Sequence, residues 1–278
     1  MVNRGGITFV FRTQEEAAGS PDQVARAFIV AREVFGLRAY VEQVEGLDNV
    51  LPTAVQTMLY LEFRRLLDRS VRWLLAARPG TLDITTEVTR LGPVVAELAP
   101  RIPDLLQGSE RERVVTQTTG WEDDGVPADL AARAATLLDS YSLLDVVEIA
   151  SDLDRTPGDV AEVYFKMSER FGIDGMLNRV AQLARDDRWD ALARGALRDD
   201  LYAVLEAYTR NAFEVEDDLD GDGVVSADER IESWCRSNKD GVARAESQLT
   251  GILGLEKPTI AALSVALRSL RSVVRTGS

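Results

Sequence analysis

Residues 52–80 read PTAVQTMLYLEFRRLLDRSVRWLLAARPG, and this stretch decides the fold class. Apolar side chains recur three and four residues apart along it, which is the spacing of one face of an α-helix. Arg-Pro-Gly at 78–80 marks its end. The pattern predicts a helix over residues 52–77 with an apolar face wide enough to pack against several neighbours. That face comprises Val55, Met58, Leu59, Leu61, Phe63, Leu66, Leu67, Val71, Trp73, Leu74 and Leu75.

Most of the remaining chain shows the same helical spacing. Ser20-Pro21-Asp22-Gln23 combines a capping side chain with proline at the first helical position, and Gly36 is a natural C-terminal cap. Thr156-Pro157 repeats this start. Prolines at 93, 100 and 103 are expected to interrupt the helices around them. The predicted helices cover residues 20–36, 52–77, 85–99, 103–118, 127–138, 156–171, 186–208, 227–252 and 258–274.

Only ITFVF, residues 7–11, has the composition of a strand, and no run of strands accompanies it. A parallel sheet is therefore excluded, and the expected class is all-α: an irregular multi-helix bundle with a short strand-like segment at the N-terminus. An acidic loop at 121–126 suggests a boundary between an N-terminal part, residues 1–120, and a C-terminal part, residues 121–278. A single domain is the alternative.

The composition excludes several kinds of catalytic site. The 278 residues contain no histidine, one cysteine (Cys235) and three lysines (Lys166, Lys239 and Lys257). Ser-His and Cys-His nucleophiles, an HExxH zinc helix and an internal disulfide are therefore impossible. Neither glycine-rich phosphate-binding motif occurs. Acidic pairs such as Asp199-Asp200 lie in polar surroundings, so we expect that pair on a solvated helix face and predict no catalytic or cofactor-binding residue in this chain.

The charge and hydropathy of the chain limit its partners. The net charge of −14 opposes binding to nucleic acid and to anionic membranes, both of which attract basic surfaces. No apolar run approaches the length of a membrane span, and no signal-peptide pattern follows Met1. The sequence therefore predicts a cytoplasmic protein. Arginines in residues 64–72 are expected to form ion pairs between helices.

DLDGDGVVSADE, residues 218–229, spaces oxygen-bearing side chains as a calcium loop does. Calcium takes six to eight oxygen ligands and tolerates irregular geometry. Acidic or hydroxyl side chains stand at the first, third, fifth, ninth and twelfth places, and glycine at the sixth permits a sharp bend. Helical sequence lies on both sides, so the stretch matches an EF-hand loop. The predicted ligands are Asp218, Asp220, Asp222, Val224 through its carbonyl, Ser226 and Glu229.

A second loop of this type, with which EF-hands usually pair, is missing from the sequence. A solvated acidic linker that happens to fit the pattern is the alternative. If a cation binds, the expected dissociation constant is of order 10⁻⁵ to 10⁻³ M. Calcium is then an accessory brace and not the purpose of the protein.

Six stretches together resemble one family, the C-terminal helical region of the large bacterial NAD-specific glutamate dehydrogenases. They occur in order along nearly the whole chain, and the family segment ADERIESW at 227–234 overlaps the end of the acidic loop. The matching stretches are NRGGITFVFR (3–12), VAREVFGL (30–37), LEFRRLLDRSVRWLL (61–75), TPGDVAEVYF (156–165), RWDALARGALRDDLY (188–202) and LSVALRSLR (263–271).

The resemblance implies that the complete enzyme deaminates L-glutamate to 2-oxoglutarate and ammonia with NAD. It also implies a homo-oligomer whose catalytic residues and NAD site lie upstream of this region. We therefore expect a non-catalytic scaffold, oligomerisation or regulatory region that partners the upstream catalytic region and is inactive alone, either truncated or separately encoded. The alternative is a calcium-binding helical module, or an adaptor, that uses the loop at 218–229.

Overall fold

The computed structural model of the chain describes residues 20–46, 51, 53–77, 80–105, 126–181, 183, 188–255 and 259–275. Helices and connecting turns account for these residues, and they include no strand. The all-α class is therefore confirmed for this part of the chain. The strand expected at 7–11 and the boundary expected at 121 lie outside it, and the two-part division remains a prediction.

The helices are numbered here in chain order. They are α1 (Pro21–Val34), α2 (Leu37–Gly46), α3 (Thr53–Ala77), α4 (Ile84–Leu105), α5 (Ala128–Leu153), α6 (Pro157–Arg170), α7 (Ile173–Ala181), α8 (Arg188–Phe213), α9 (Ala227–Ser237), α10 (Lys239–Leu253) and α11 (Ile260–Arg275). Across the ranges just given, no helix is both long and apolar enough to cross a bilayer.

The predicted start of α1 is confirmed atom by atom. The Ser20 hydroxyl accepts a hydrogen bond from the Gln23 amide at 3.3 Å, and the Gln23 side chain accepts one from the Ser20 amide at 3.2 Å. Thr156 caps α6 in the same way by accepting from the Asp159 amide at 3.2 Å. Each cap satisfies a backbone donor that the helix leaves unpaired, which stabilises the fold by about 1 kcal/mol.

Helix α4 runs through three prolines, so the expected interruption between residues 99 and 103 is wrong. Proline removes one backbone hydrogen bond and crowds the carbonyl four residues earlier. Pro93 and Thr89, whose carbonyl it leaves without an amide donor, are both exposed residues. Leu91, Val95 and Leu98 are buried and hold the helix to its neighbours. Packing of this face outweighs the local preference of the prolines for a break.

Two other helix boundaries differ from the prediction. Helix α5 continues beyond residue 138 to Leu153, and Asp154 ends it in the left-handed region with φ +52°. The single helix expected over 227–252 is divided at Asn238, whose side-chain amide donates to the Trp234 carbonyl at 2.9 Å. An asparagine side chain that competes for main-chain groups in this way favours a helix end.

Helices α2 and α7 were not expected at all. Each begins directly after a glycine in the left-handed region, Gly36 with φ +63° and Gly172 with φ +57°. Such a glycine ends one helix and lets the chain turn immediately into the next. Helix α7 buries Ile173, Met176, Leu177 and Val180 at helical spacing, so its signal was present in the sequence although the helix was not predicted.

Helix α8 lies at the centre of the packing, in contact with α3, α5, α6, α7, α9 and α11. Tyr208 of α8 packs against Phe171, with ring centroids 4.7 Å apart, and against Trp234 of α9, with centroids 4.9 Å apart. The Tyr208 hydroxyl donates to the Leu270 carbonyl of α11 at 2.7 Å. One buried aromatic group therefore ties the centre of the molecule to its C-terminal helices.

The acidic pair Asp199-Asp200 lies on a partly exposed helix face, with each side chain 41% exposed, and it also joins helices. Arg65 of α3 lies across α8 at Gly195, where a Cβ atom would come within 1.1 Å of the guanidinium, and its Nε atom pairs with the Asp199 carboxylate at 2.9 Å. Asp200 pairs with Arg271 of α11. The pair therefore links α8 to a neighbour on each side, and the ion pairing expected for the arginines of residues 64–72 is present at Arg65.

Candidate functional site

The predicted calcium loop connects α8 to α9 and is fixed at its base. The Arg230 guanidinium lies over the Phe213 ring, 5.1 Å from its centroid, and donates to the Val215 carbonyl at 2.9 Å. The Ser233 hydroxyl donates to the Asp217 carboxylate. These contacts attach the residues just before the loop to α9, while residues 216–224 are exposed.

Asp218, at the first place of the loop, organises the backbone that follows it. One carboxylate oxygen accepts the Gly221 amide at 2.7 Å and the other accepts the Gly223 amide at 2.8 Å. Both glycines lie in the left-handed region, with φ +79° and +85°. The sharp bend that was expected at Gly223 is present, and a side chain at either position would strain it.

Asp220 and Asp222 continue the same turn. The Asp220 carboxylate accepts the Asp222 amide at 3.0 Å, and the Asp222 carboxylate accepts the Val224 amide at 2.7 Å. Oxygen atoms of Asp218, Asp220 and Asp222 lie within 4.8 Å of one another. Three of the six predicted ligands are thus brought together in a geometry that a hard cation could share.

Glu229, the predicted twelfth-place ligand, is engaged in the start of α9. One of its carboxylate oxygens accepts the Leu219 amide at 2.8 Å and the Asp220 amide at 3.1 Å. The other accepts the Ser226 amide and the Ser226 hydroxyl, each at 2.8 Å. Hydrogen bonds from the Ser226 amide first, and then from its hydroxyl and the other amides, lower the pKa of Glu229 to about 2.

The two remaining predicted ligands follow from this arrangement. Ser226 is the N-cap of α9, and its hydroxyl accepts the Glu229 amide at 3.3 Å. Val224 is 66% exposed, and its amide is used by Asp222. The structure therefore groups three carboxylates, places Glu229 and Ser226 in a capping box, and leaves Val224 at the surface. Binding of a cation by Glu229 would require its present hydrogen bonds to be exchanged.

A second group of three carboxylates lies in the interior and was not anticipated as a unit. Asp145 and Glu148 of α5 and Glu206 of α8 have oxygen atoms within 4.8 Å of one another. Arg69 of α3 forms ion pairs with all three: with Asp145, with Glu148 at 2.6 Å and with Glu206 at 3.1 Å. We call these four residues the buried cluster: Asp145 and Glu148 are buried, and Arg69 and Glu206 are each 25% exposed.

The surroundings of the buried cluster supply hydrogen bonds from two more groups. The Tyr164 hydroxyl of α6 donates to Asp145. Arg210 of α8 pairs with Glu206 at 3.0 Å and with Asp152 of α5 at 2.8 Å. Because the Arg69 guanidinium already contacts every carboxylate of the group, the cluster does not suit a metal ion.

Burial dominates the titration of the cluster. Asp145 is fully buried, and loss of hydration raises its pKa to about 6 against the opposing effect of Arg69. Glu148 is 7% exposed, and burial raises its pKa to about 7 in the same way. Burial also disfavours the charged guanidinium of Arg69, but the three carboxylates outweigh this and hold its pKa above the ordinary value.

A signal for this cluster was present in the sequence. Asp145 and Glu148 interrupt the apolar run LLDVVEIA, residues 143–150, where a buried helix face would carry apolar side chains. All of these residues are buried in the structure. Two carboxylates inside such a run require a cation on a neighbouring helix, and Arg69 is the one that the structure provides.

The chain matches one protein-family model, described as "Glutamate dehydrogenase, C-terminal", over residues 1–272. It is 36% identical over 276 residues to the NAD-specific glutamate dehydrogenase of Mycobacterium tuberculosis, and 31% identical over 276 residues to that of Pseudomonas aeruginosa. These alignments cover 99% of this chain and 17% of each relative. A 31% identical match to the Halomonas elongata enzyme covers 84% of this chain and 14% of the relative.

Proposed function

The chain belongs to the C-terminal family of glutamate dehydrogenases, and from that premise we propose that it is the non-catalytic helical region of an NAD-dependent glutamate dehydrogenase. The complete enzyme would convert L-glutamate, NAD and water to 2-oxoglutarate, ammonia and NADH. This region would support that reaction as scaffold, as a subunit contact or as a regulatory part, in the cytoplasm.

The observation that carries the proposal is the uneven coverage of the match. The alignment takes in 99% of this chain but only 17% of two relatives that are named for the whole activity. The composition agrees, because hydride transfer needs a dinucleotide site and this sequence has neither of the glycine-rich motifs that bind phosphates. A catalytic site built on imidazole is also impossible without histidine.

The internal architecture fits a scaffold. The buried side chains form one continuous hydrophobic core from Val24 of α1 to Val273 of α11. Its polar links, such as Arg65 with Asp199 and Arg69 with Asp145, connect helices to each other. A region organised in this way holds its shape and can present fixed surfaces to the upstream region or to a second subunit.

The direct test is an assay of NADH formation by the 278-residue chain with glutamate and NAD. We expect no turnover above the rate without protein, while a complete enzyme of the family in the same buffer gives a steady increase in absorbance. Turnover by the chain alone would contradict the proposal. Co-purification with the separately expressed upstream region, followed by light scattering, tests the expected partner and the expected homo-oligomer.

The loop at 218–229 favours a second function that is compatible with the first: binding of a divalent cation. The specific observation is the group of three carboxylates, Asp218, Asp220 and Asp222, formed around a glycine bend. Exposed acidic groups repel one another, and calcium would relieve that repulsion while the backbone hydrogen bonds keep the turn in place. Such a brace would fix the angle between α8 and α9.

Calorimetric titration with calcium and then magnesium tests the second function. Calcium at 100 times its dissociation constant should stabilise the folded chain by about 2.7 kcal/mol, and magnesium should bind more weakly because it requires stricter octahedral geometry. Asp222→Asn keeps an oxygen for the Val224 amide but removes the charge, and should weaken calcium binding at least tenfold. The exposed Glu214→Gln, just before the loop, is the matched control. An unchanged melting curve at millimolar calcium excludes the brace and leaves the first proposal unaffected.

A further inference from the structure

We propose that the buried cluster of Arg69, Asp145, Glu148 and Glu206 is a proton-linked joint between α3, α5 and α8, which holds a proton near neutral pH and loosens as the pH rises. This inference concerns the packing of the helices. It does not depend on the proposed enzyme function.

The charge balance of the cluster requires a proton. Three carboxylates around one guanidinium leave two uncompensated negative charges when all are ionised. Arg210 adds one positive charge, but its second partner, Asp152, removes it again. Carboxylates that share a buried site repel one another, and the least costly response is for one of them to remain protonated.

Three ion pairs on the helices packed against α5 lie within single helices and add no net charge. Helix α4 contributes Glu87 paired with Arg90, α2 contributes Arg38 paired with Glu42, and Asp68 pairs with Arg72 on α3 itself. The neighbouring tyrosines, Tyr164 of α6 and Tyr202 of α8, are neutral at these pH values. Helix α8 also buries Arg194, about three turns before Glu206, and Arg198, about two turns before it.

The cluster forms only in the folded chain, so its affinity for protons depends on folding. Arg69 lies 76 residues before Asp145 and 137 residues before Glu206, so its contacts exist only when α3, α5 and α8 are packed together. In the unfolded chain each carboxylate is hydrated and recovers its ordinary affinity for protons. The folded chain therefore binds more protons than the unfolded chain at pH values between the unfolded-state pKa and the folded-state pKa of these carboxyl groups.

The direction in which pH changes the stability of the joint follows from the direction in which burial shifts the pKa of its carboxyl groups. The pKa of Asp145 rises from 3.8 to about 6 and that of Glu148 from 4.5 to about 7, in both cases mainly through burial. A carboxyl group with a raised folded-state pKa contributes its full stability below the unfolded value, and that contribution is lost as the pH rises through the folded value. The joint should therefore weaken between about pH 4 and about pH 7 and change little above that range.

Denaturant unfolding of the 278-residue chain as a function of pH tests the joint. Each additional proton held by the folded state makes the unfolding equilibrium constant rise about tenfold per pH unit. Glu148→Gln removes one carboxylate and leaves an uncharged group of similar shape. Between about pH 5 and about pH 7 the unfolding constant of the wild type should rise at least tenfold more than that of Glu148→Gln.

The exposed Glu169→Gln on α6 is the matched control, and its curve should run parallel to that of the wild type. Parallel curves for the wild type and Glu148→Gln would overturn the proposal. If Glu148→Gln does not fold, carbon-13 NMR of the side-chain carboxyl groups in the wild-type chain decides the matter. At least one carboxyl resonance should titrate between about pH 6 and about pH 7. Titration of every carboxyl below about pH 5 would refute the joint.

Discussion

The loop at 218–229 and the buried cluster contain the same chemical groups in different surroundings. In each, oxygen atoms of three carboxylates lie within 4.8 Å of one another. The loop carboxylates are exposed and receive backbone amides from their own turn, whereas the buried carboxylates receive a guanidinium from another helix. Water already stabilises the first group, so a cation is optional there. In the second group Asp145 is fully buried, so its counter-charge must come from the fold.

The two regions should also respond to pH with opposite sign. Hydrogen bonds lower the pKa of Glu229 to about 2. Its contribution to the stability of the fold is therefore complete above about pH 4.5 and is lost as the pH falls from there toward about 2. Burial raises the pKa of Asp145 and Glu148, so their contribution is lost as the pH rises. Acid therefore weakens the start of α9, whereas a rise in pH from about 4 to about 7 weakens the junction of α3, α5 and α8.

Of the substitutions that distinguish the two regions, removal of the shared cation Arg69 should change the free energy of unfolding most. Arg69→Met leaves the buried Asp145 and Glu148 and the partly buried Glu206 without their shared counter-charge, which should lower the free energy of unfolding by about 3–5 kcal/mol. The exposed Arg64→Met, on the same helix, should change it by less than about 0.5 kcal/mol. Urea unfolding at about pH 7 measures both. Equal effects of the two substitutions would show that the cluster contributes no more than a surface pair.

Loss of a single donor to the buried cluster should have an intermediate effect. Tyr164→Phe keeps the ring in the core but removes the hydroxyl that donates to Asp145, and should cost about 1.5–3 kcal/mol because the acceptor is charged. Tyr208→Phe removes a hydroxyl that donates to a neutral carbonyl, and should cost about 1 kcal/mol. Thermal unfolding of both variants checks the order. A larger loss of stability for Tyr208→Phe than for Tyr164→Phe would contradict an ionised or hydrogen-bonded Asp145 in the folded chain.

Loss of a cap in the loop region should have the smallest of the three effects. Ser226→Ala removes one acceptor at the start of α9 and should cost about 1 kcal/mol. Ser226→Asp preserves an acceptor at the cap and should recover most of that loss. Comparison of the two melting temperatures separates capping from any effect of side-chain volume. A loss as large as that of Arg69→Met would mean that the loop, although exposed, is as important to the fold as the interior.

The sequence predicted the elements whose own residues determine them. The long helix α3 follows from its apolar face, and the starts of α1 and α6 follow from Ser20 and Thr156, which cap their helices through local hydrogen bonds. The bend at Gly223 and the grouping of Asp218, Asp220 and Asp222 are also local, because every hydrogen bond that forms them spans five residues or fewer.

The features that the sequence did not predict depend on residues distant in the chain. Local preference places a break near Pro100, but packing of the buried face of α4 keeps the helix continuous. The buried cluster needs Arg69 to reach α5 and α8, and no pattern within a single helix specifies that contact. Asp145 and Glu148 inside an apolar run showed that a partner was required, but not which arginine it would be.

If the dinucleotide chemistry of the enzyme lies outside this chain, the chain alone should not bind NAD. Equilibrium dialysis of the purified chain against labelled NAD measures this binding. A complete enzyme of the family serves as the positive control. We expect the chain to retain no more NAD than an equal mass of an unrelated protein, with and without glutamate. Saturable binding of one NAD per chain would contradict it.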